Sequence, residues 1–173
     1  NRVALVSRRS TISVLERVVG QSVRLWELVE AQREQPLTSF VDIGSGAGFP
    51  GVIWKMMSPA AVGLLVERRE KKATFLEHVV HVLGFADIEV YAGDARDAAR
   101  QTAVAEAFDV AATLAVATPE DTIPLVRPFL KEGGLFATIV GSSAAAPTDA
   151  GGMRLLCSEH HRSGALSIYQ DPL

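Results

Sequence analysis

Residues 39–51 read Ser-Phe-Val-Asp-Ile-Gly-Ser-Gly-Ala-Gly-Phe-Pro-Gly, and they restrict the fold more than any other part of the chain. Phe40, Val41 and Ile43 make a short apolar run that reads as a strand. Gly44, Gly46, Gly48 and Gly51 follow, where a side chain would block a tight turn or keep a ligand away from the backbone. Pro50 suits the first turn of a helix, where its missing N–H would have had no intrahelical partner. Strand, glycine turn and helix start are the parts of a nucleotide-binding crevice at the carboxyl end of a parallel sheet.

Gly46-Ala-Gly48-Phe-Pro-Gly51 satisfies the dinucleotide spacing G-x-G-x-x-G, and Glu67, at the end of the next apolar run, is placed to hold a ribose. Asp42 turns the reading elsewhere, because it extends the motif to Asp-x-Gly-x-Gly-x-Gly. A carboxylate beside the turn repels a pyrophosphate docked on the helix N-terminus but suits a ligand bearing an ammonium and a sulfonium. The motif therefore favours S-adenosylmethionine over a dinucleotide, with a purely structural turn as the remaining reading. Gly93-Asp94-Ala95 fits the same ligand: a carboxylate there accepts from the adenine amino group while the next backbone N–H meets a ring nitrogen. Asp94 equally suits the N-cap of the helix that follows.

Around this motif, strands and helices alternate. Residues 11–32 carry Ile12, Leu15, Val18, Val19, Val23, Trp26 and Val29 at helical spacing, an amphipathic helix that ends by Pro36. Residues 1–36 are read as an N-terminal helical extension and 37–173 as the cofactor-binding domain. Ala61–Val66 reads as a buried parallel strand, Glu70–Leu83 as a helix stopped by Gly84, Ile88–Tyr91 and Phe108–Thr113 as further strands. Thr118 and Pro119 open a helix that Pro124 and Pro128 shorten or bend, and Gly133-Gly134 turns into a strand at Leu135–Val140. Residues 141–152 read as a small-residue loop, and Met153–Ser158 with Ala165–Tyr169 as a closing hairpin. The expected architecture is α/β and Rossmann-like: a mostly parallel seven-stranded sheet with a C-terminal antiparallel hairpin, the layout of class I methyltransferases.

A net charge of −3 argues against a strongly basic nucleic-acid binder. Its distribution is uneven: residues 1–35 hold six arginines against four glutamates, or +2, which leaves −5 for the remainder. Arg68, Arg69, Lys71 and Lys72 form a second basic cluster, either a solvated helix face or a phosphate-contacting patch. A single cysteine, Cys157, excludes an internal disulfide, reads as packing and suits a reducing cytoplasm. His78 and His81 stand three apart on a helix without further ligands in view, so no metal is expected. The apolar runs fall short of a membrane span, and the start lacks a signal-peptide layout.

Asp42-Ile-Gly-Ser-Gly-Ala-Gly-Phe-Pro-Gly51, Arg68-Arg69, Lys71-Lys72-Ala-Thr-Phe75-Leu76 and Pro128-Phe-Leu-Lys-Glu-Gly-Gly134 resemble the RsmG (GidB) small-subunit ribosomal RNA methyltransferases. The resemblance covers about residues 38–141 and, faintly, the N-terminal helix. It implies methylation of a ring nitrogen, N7, of one guanine in 16S ribosomal RNA, with the small ribosomal subunit as partner. It places Gly44 and Phe49 against the cofactor, Glu67 on its ribose and Ala95-Arg96 along the adenine. Motif and resemblance together give Asp42, Gly44, Ser45, Gly46, Phe49, Glu67, Arg68, Asp94, Ala95 and Arg96 as cofactor-binding residues, and Arg8, Arg9 and Arg17 as RNA contacts. Some family positions differ: Leu114 stands for an arginine, Val140 for a lysine, Val18 for a histidine, and Arg96 for an acid.

Methyl transfer from a sulfonium is a direct displacement, and most of the acceleration can come from alignment. A guanine ring nitrogen offers a free lone pair, so no general base is required and no catalytic side chain is assigned. Three readings stay open at this stage: a methyltransferase acting on ribosomal RNA, one acting on another acceptor, and a silent domain that binds the cofactor.

Overall fold

The computed structural model describes residues 12–101, 105–114, 118–140, 146–161 and 164–172. Helix α1 (Ile12–Glu30) precedes β1 (Ser39–Ile43), α2 (Gly51–Met57), β2 (Val62–Glu67), α3 (Glu70–Leu83) and β3 (Ile88–Ala92). A short α4 (Ala95–Ala98), β4 (Phe108–Thr113) and α5 (Pro119–Val126) lead through a 3-10 turn into β5 (Leu130–Val140). The chain closes with β6 (Asp149–Ala150), β7 (Met153–His161) and β8 (Gly164–Gln170). All eight strands form one sheet in the order β3-β2-β1-β4-β5-β8-β7-β6. The first five run parallel; β8, β7 and β6 add antiparallel. Strand order reverses direction between β1 and β4, so the carboxyl ends of those two strands open a crevice there.

The eighth strand lies in the segment expected to be a loop. Asp149 and Ala150 pair with Arg154 and Met153, leaving Gly151-Gly152 as a two-residue connection with φ of 56° and 82°. Two successive positive φ values suit the type I′ turn, whose twist matches that of the flanking strands. Gly133-Gly134 is likewise a bulge inside β5 instead of a turn before it. Register passes from Phe108↔Leu130 to Val110↔Leu135, so residues 131–134 oppose Asp109 alone.

Burial of α1 departs from the apolar stripe. Gln21, Ser22, Leu25 and Val29 are its buried residues, while Ile12, Leu15 and Val19 are exposed. Its second half packs on α2, β5 and β8; its first half reaches past them toward the crevice. Two indoles dock it: Trp26 Nε1 donates to Ser58 Oγ at 2.9 Å and Trp54 Nε1 to the Ser22 carbonyl at 2.9 Å. Trp54 also meets Phe40 edge-on, with ring centroids 5.8 Å apart, which ties α1 and α2 to β1. Burying these two large rings in full contributes on the order of 2–3 kcal/mol each.

At the amino end of the sheet, Asp109 gathers the start of β1. Its Oδ2 accepts from Thr38 Oγ1 at 2.6 Å and from the Ser39 amide at 3.0 Å, while Oδ1 accepts from Lys131 Nζ at 2.7 Å. Arg33 stands 3.4 Å away. Burial works to raise the Asp109 pKa; the bonds from Lys131 and Thr38 and the charges of Lys131 and Arg33 outweigh it and bring the pKa to about 2. A folded-state pKa below the unfolded value stabilises above the unfolded pKa of about 4, and that contribution disappears as pH falls toward 2. Asp109→Asn should lose about 1.5–3 kcal/mol at neutral pH, the worth of hydrogen bonds to a charged group. Denaturant unfolding between pH 5 and 2 should show a shallower acid slope for the variant than for the unaltered chain.

Candidate cofactor cleft

The crevice at the carboxyl ends of β1 and β4 is a cavity of about 670 Å³. Its floor is the glycine turn after β1, where Gly44, Gly46 and Gly48 hold φ of 77°, 57° and 97°, a region that L side chains rarely enter. The turn closes on itself: Gly48 and Phe49 amides donate to the Ser45 carbonyl, and Gly44 and Ser45 amides to the Val66 carbonyl of β2. Gly51 is wanted for close approach, because a Cβ there would collide with Leu65 and stand 2.9 Å from Asp42 Oδ2.

Glu67, the last residue of β2, is buried yet lines the cleft. Its Oε2 accepts from the Gly46 amide at 3.0 Å and its Oε1 from the Arg69 amide at 2.8 Å. Two backbone donors thus fix the carboxylate, and each oxygen keeps further acceptor capacity toward the cavity. Asp94 caps α4 by accepting from the Arg96 amide at 2.9 Å, and it also lines the cleft, so both readings of this residue hold in its placement. The Ala95 N–H, first in the helix, has no acceptor among the described residues.

Asp42 is placed differently from expectation. It is fully buried, does not line the cleft, and its Oδ2 accepts from the Gly51 amide at 3.0 Å. The expectation that this carboxylate faces a ligand's ammonium is corrected: alternation along β1 turns it under the turn, where it clamps the start of α2. Its Oδ1 is buried without a hydrogen-bond partner. Burial raises the pKa to about 7, against the opposing pull of the Gly51 amide and Ser45, and the nearby Glu67 charge adds to the rise.

Gly44, Ser45, Gly46, Phe49, Glu67, Arg68, Asp94, Ala95 and Arg96 all line this one cleft. Arg17 is exposed on α1; Arg8 and Arg9, with Arg2, lie outside the described residues. Of the other N-terminal arginines, Arg24 is paired with Glu27 and Glu159, and Arg33 with Asp109. The sequence reading missed Ala47, Arg69, Lys72 and Leu125, and noted Val18 and Leu114 only as departures from the family's pattern; all six line the cleft. Arg69 and Lys72 were recoverable, since three-residue spacing at a helix start puts both on one face. Val18 and Leu125 come from helices remote in sequence, and only the packing brings them here. His78 and His81 are exposed on α3, and among the described residues no group of three His, Cys, Asp or Glu converges for a metal. Among those residues, too, no helix is long and apolar enough to cross a membrane.

A parallel sheet closed by an antiparallel hairpin, with a glycine turn and a strand-end carboxylate at the switch point, defines the methyltransferase class of α/β folds. Solved structures agree on the fold. A putative methyltransferase from Escherichia coli matches with a TM-score of 0.69 at 16% identity, covering 87% of each chain. A putative methylase from Haemophilus influenzae gives 0.70 at 19%, over 88% of this chain and 99% of that one. MtNAS in complex with S-adenosylmethionine gives 0.66 at 14%, over 97% and 69%. The chain belongs to the GidB family, described as rRNA small subunit methyltransferase G, whose family model matches residues 1–163. Among curated relatives, the ribosomal RNA small subunit methyltransferase G of Geobacillus kaustophilus is 39% identical over 103 residues, 60% of this chain and 43% of the relative. That of Leuconostoc mesenteroides is 36% identical over 121 residues, 68% and 51%. The matches thus span about half the length of these relatives or less.

Asp42 yields a pH signature. Its folded pKa lies above the unfolded value near 4, so the folded state holds the proton more tightly and stability falls as pH rises from about 4 to 7. Asp42→Asn keeps an acceptor for Gly51 and removes the titration. Unfolding free energies measured from pH 4 to 8 should lose that downward slope in the variant; an unchanged slope would assign it to other groups.

Proposed function

We propose that the cleft binds S-adenosylmethionine and that the chain transfers its methyl group to a guanine ring nitrogen, N7, of 16S ribosomal RNA. The observation that carries the reading is the Glu67 carboxylate, fixed by two backbone amides beside the glycine turn with acceptor capacity left toward the cavity. A ribose offers two hydroxyl donors on adjacent carbons, which a bidentate acceptor suits. The free Ala95 amide beside Asp94 matches the donor and acceptor edge of an adenine, and about 670 Å³ is an ordinary volume for a cofactor site. Gly44, Ser45, Gly46 and Phe49 form the wall nearest the glycine turn, with Arg68 and Arg96 at the rim. Family membership supports the same reading.

The bound cofactor would supply a methyl group on a sulfonium, open to direct displacement by a lone pair. The residues of the chain orient the two reactants and exclude water, the source of most of the acceleration in such a reaction. A guanine ring nitrogen has nothing to deprotonate, so the cleft needs no base. Val18, Leu114 and Leu125 give its wall an aliphatic stretch. Exposed Arg17, Arg68, Arg69, Lys71 and Arg96 supply cations for RNA phosphates, and a ribosomal substrate puts the protein in the cytoplasm. A different acceptor is the second reading, favoured by Val18 and Leu114, aliphatic where the family carries a histidine and an arginine.

Calorimetric titration with S-adenosylmethionine and with NAD tests the cofactor, and Glu67→Ala should weaken adenosylmethionine binding about 10- to 100-fold. Small subunits from a strain lacking the gene should then accept methyl groups in 16S ribosomal RNA. Cofactor binding without that transfer moves the acceptor to the second reading or leaves a silent binder. Binding of NAD, or of neither ligand, contradicts the methyltransferase.

A further inference from the structure

Every group at the Glu67 end of the cleft is accounted for by a nucleoside, but one cation is not. Lys72 lines the cleft from the first turn of α3 and is half-buried. A Cβ built on Gly46 would stand 3.7 Å from its Nζ and 3.7 Å from the Gly44 carbonyl oxygen, so the ammonium lies against the glycine turn. Among the described residues Lys72 Nζ forms no ion pair and no hydrogen bond. The turn holds a second unmatched donor. The amides of Gly44, Ser45, Gly46, Gly48 and Phe49 are all bonded, whereas the Ala47 N–H has no acceptor among the described residues.

An ammonium and a free backbone N–H on the same turn call for an anion. The nucleoside end of the cleft carries acceptors instead, Glu67 and Asp94. Of the charged groups on S-adenosylmethionine, the sulfonium and the ammonium are cations, and the carboxylate is its anion. We infer that Lys72 Nζ and the Ala47 N–H hold that carboxylate, which makes Lys72 a cofactor-binding residue that sets where the methionine end, and hence the sulfur, comes to rest. The inference rests on the methyltransferase reading of the cleft. It differs from a role of the Lys71–Lys72 cluster in contacting RNA phosphates, because it predicts dependence on one group of the cofactor.

The test is a calorimetric titration of the full chain, Lys72→Ala and Lys72→Arg with two ligands: S-adenosylmethionine, and decarboxylated S-adenosylmethionine, which keeps the adenosine, sulfonium and amine. Lys72→Ala should bind S-adenosylmethionine about 10- to 100-fold more weakly, the loss of one charge-assisted contact, and should bind the decarboxylated ligand as the unaltered chain does. Lys72→Arg should recover most of the lost affinity. Retained binding of the decarboxylated ligand by Lys72→Ala also reports an intact fold. Equal losses for both ligands, or no loss for either, would overturn the carboxylate contact while leaving the cofactor reading in place. Failure of the unaltered chain to bind either ligand would overturn both.

Discussion

The carboxylate of Glu67 joins two strand ends that have no covalent reason to stay in register. One oxygen takes the amide of Gly46 after β1 and the other takes the amide of Arg69 after β2. A buried carboxylate without a cation at bonding distance needs such donors, since an unsatisfied charge costs far more than a lost hydrogen bond. Satisfying it fixes the glycine turn against the start of α3. That registration sets Lys72 over the turn and keeps the Ala47 amide unspent. Asp42 does a parallel service one layer down, through Gly51, and fixes where α2 begins. Two acids at adjacent strand ends therefore have opposite fates: one faces the cavity and the other is sealed beneath it.

Much of this was legible in the sequence because it depends on local chemistry. The apolar run before four glycines, the run Ala61–Val66 ending in an acid, and α3 closed by Gly84 in a left-handed conformation all follow from rules that act over a few residues. Other features needed the third dimension. Gly151-Gly152 looked like one more part of a mobile loop, because two residues of strand on one side carry no periodic signal. The apolar stripe of α1 was read at its full length, but the sheet beneath it covers only the second half. Asp42 was given a ligand because the motif alone does not say which way its side chain turns. Strand alternation beside Val41, in contact with the opposite face, decides it.

The cleft divides along its length. Acceptors and a free amide gather where Glu67 and Asp94 stand, donors gather at Ala47 and Lys72, and aliphatic side chains from α1, β4 and α5 meet across from them. A ligand with a neutral nucleoside at one end and an anion at the other is matched by that sequence of groups better than a dinucleotide, whose pyrophosphate would lie at the middle beside Glu67. The basic residues at the rim extend the cationic surface outward, and the overall negative charge is carried elsewhere on the chain.

A crystal structure of the chain soaked with S-adenosylhomocysteine tests the central claim most directly. The account predicts ribose hydroxyls on the Glu67 carboxylate, the adenine edge against Asp94 and the Ala95 amide, and the amino-acid end beside the glycine turn. Density for the ligand in another place, or in the cleft with its ribose turned away from Glu67, would contradict it.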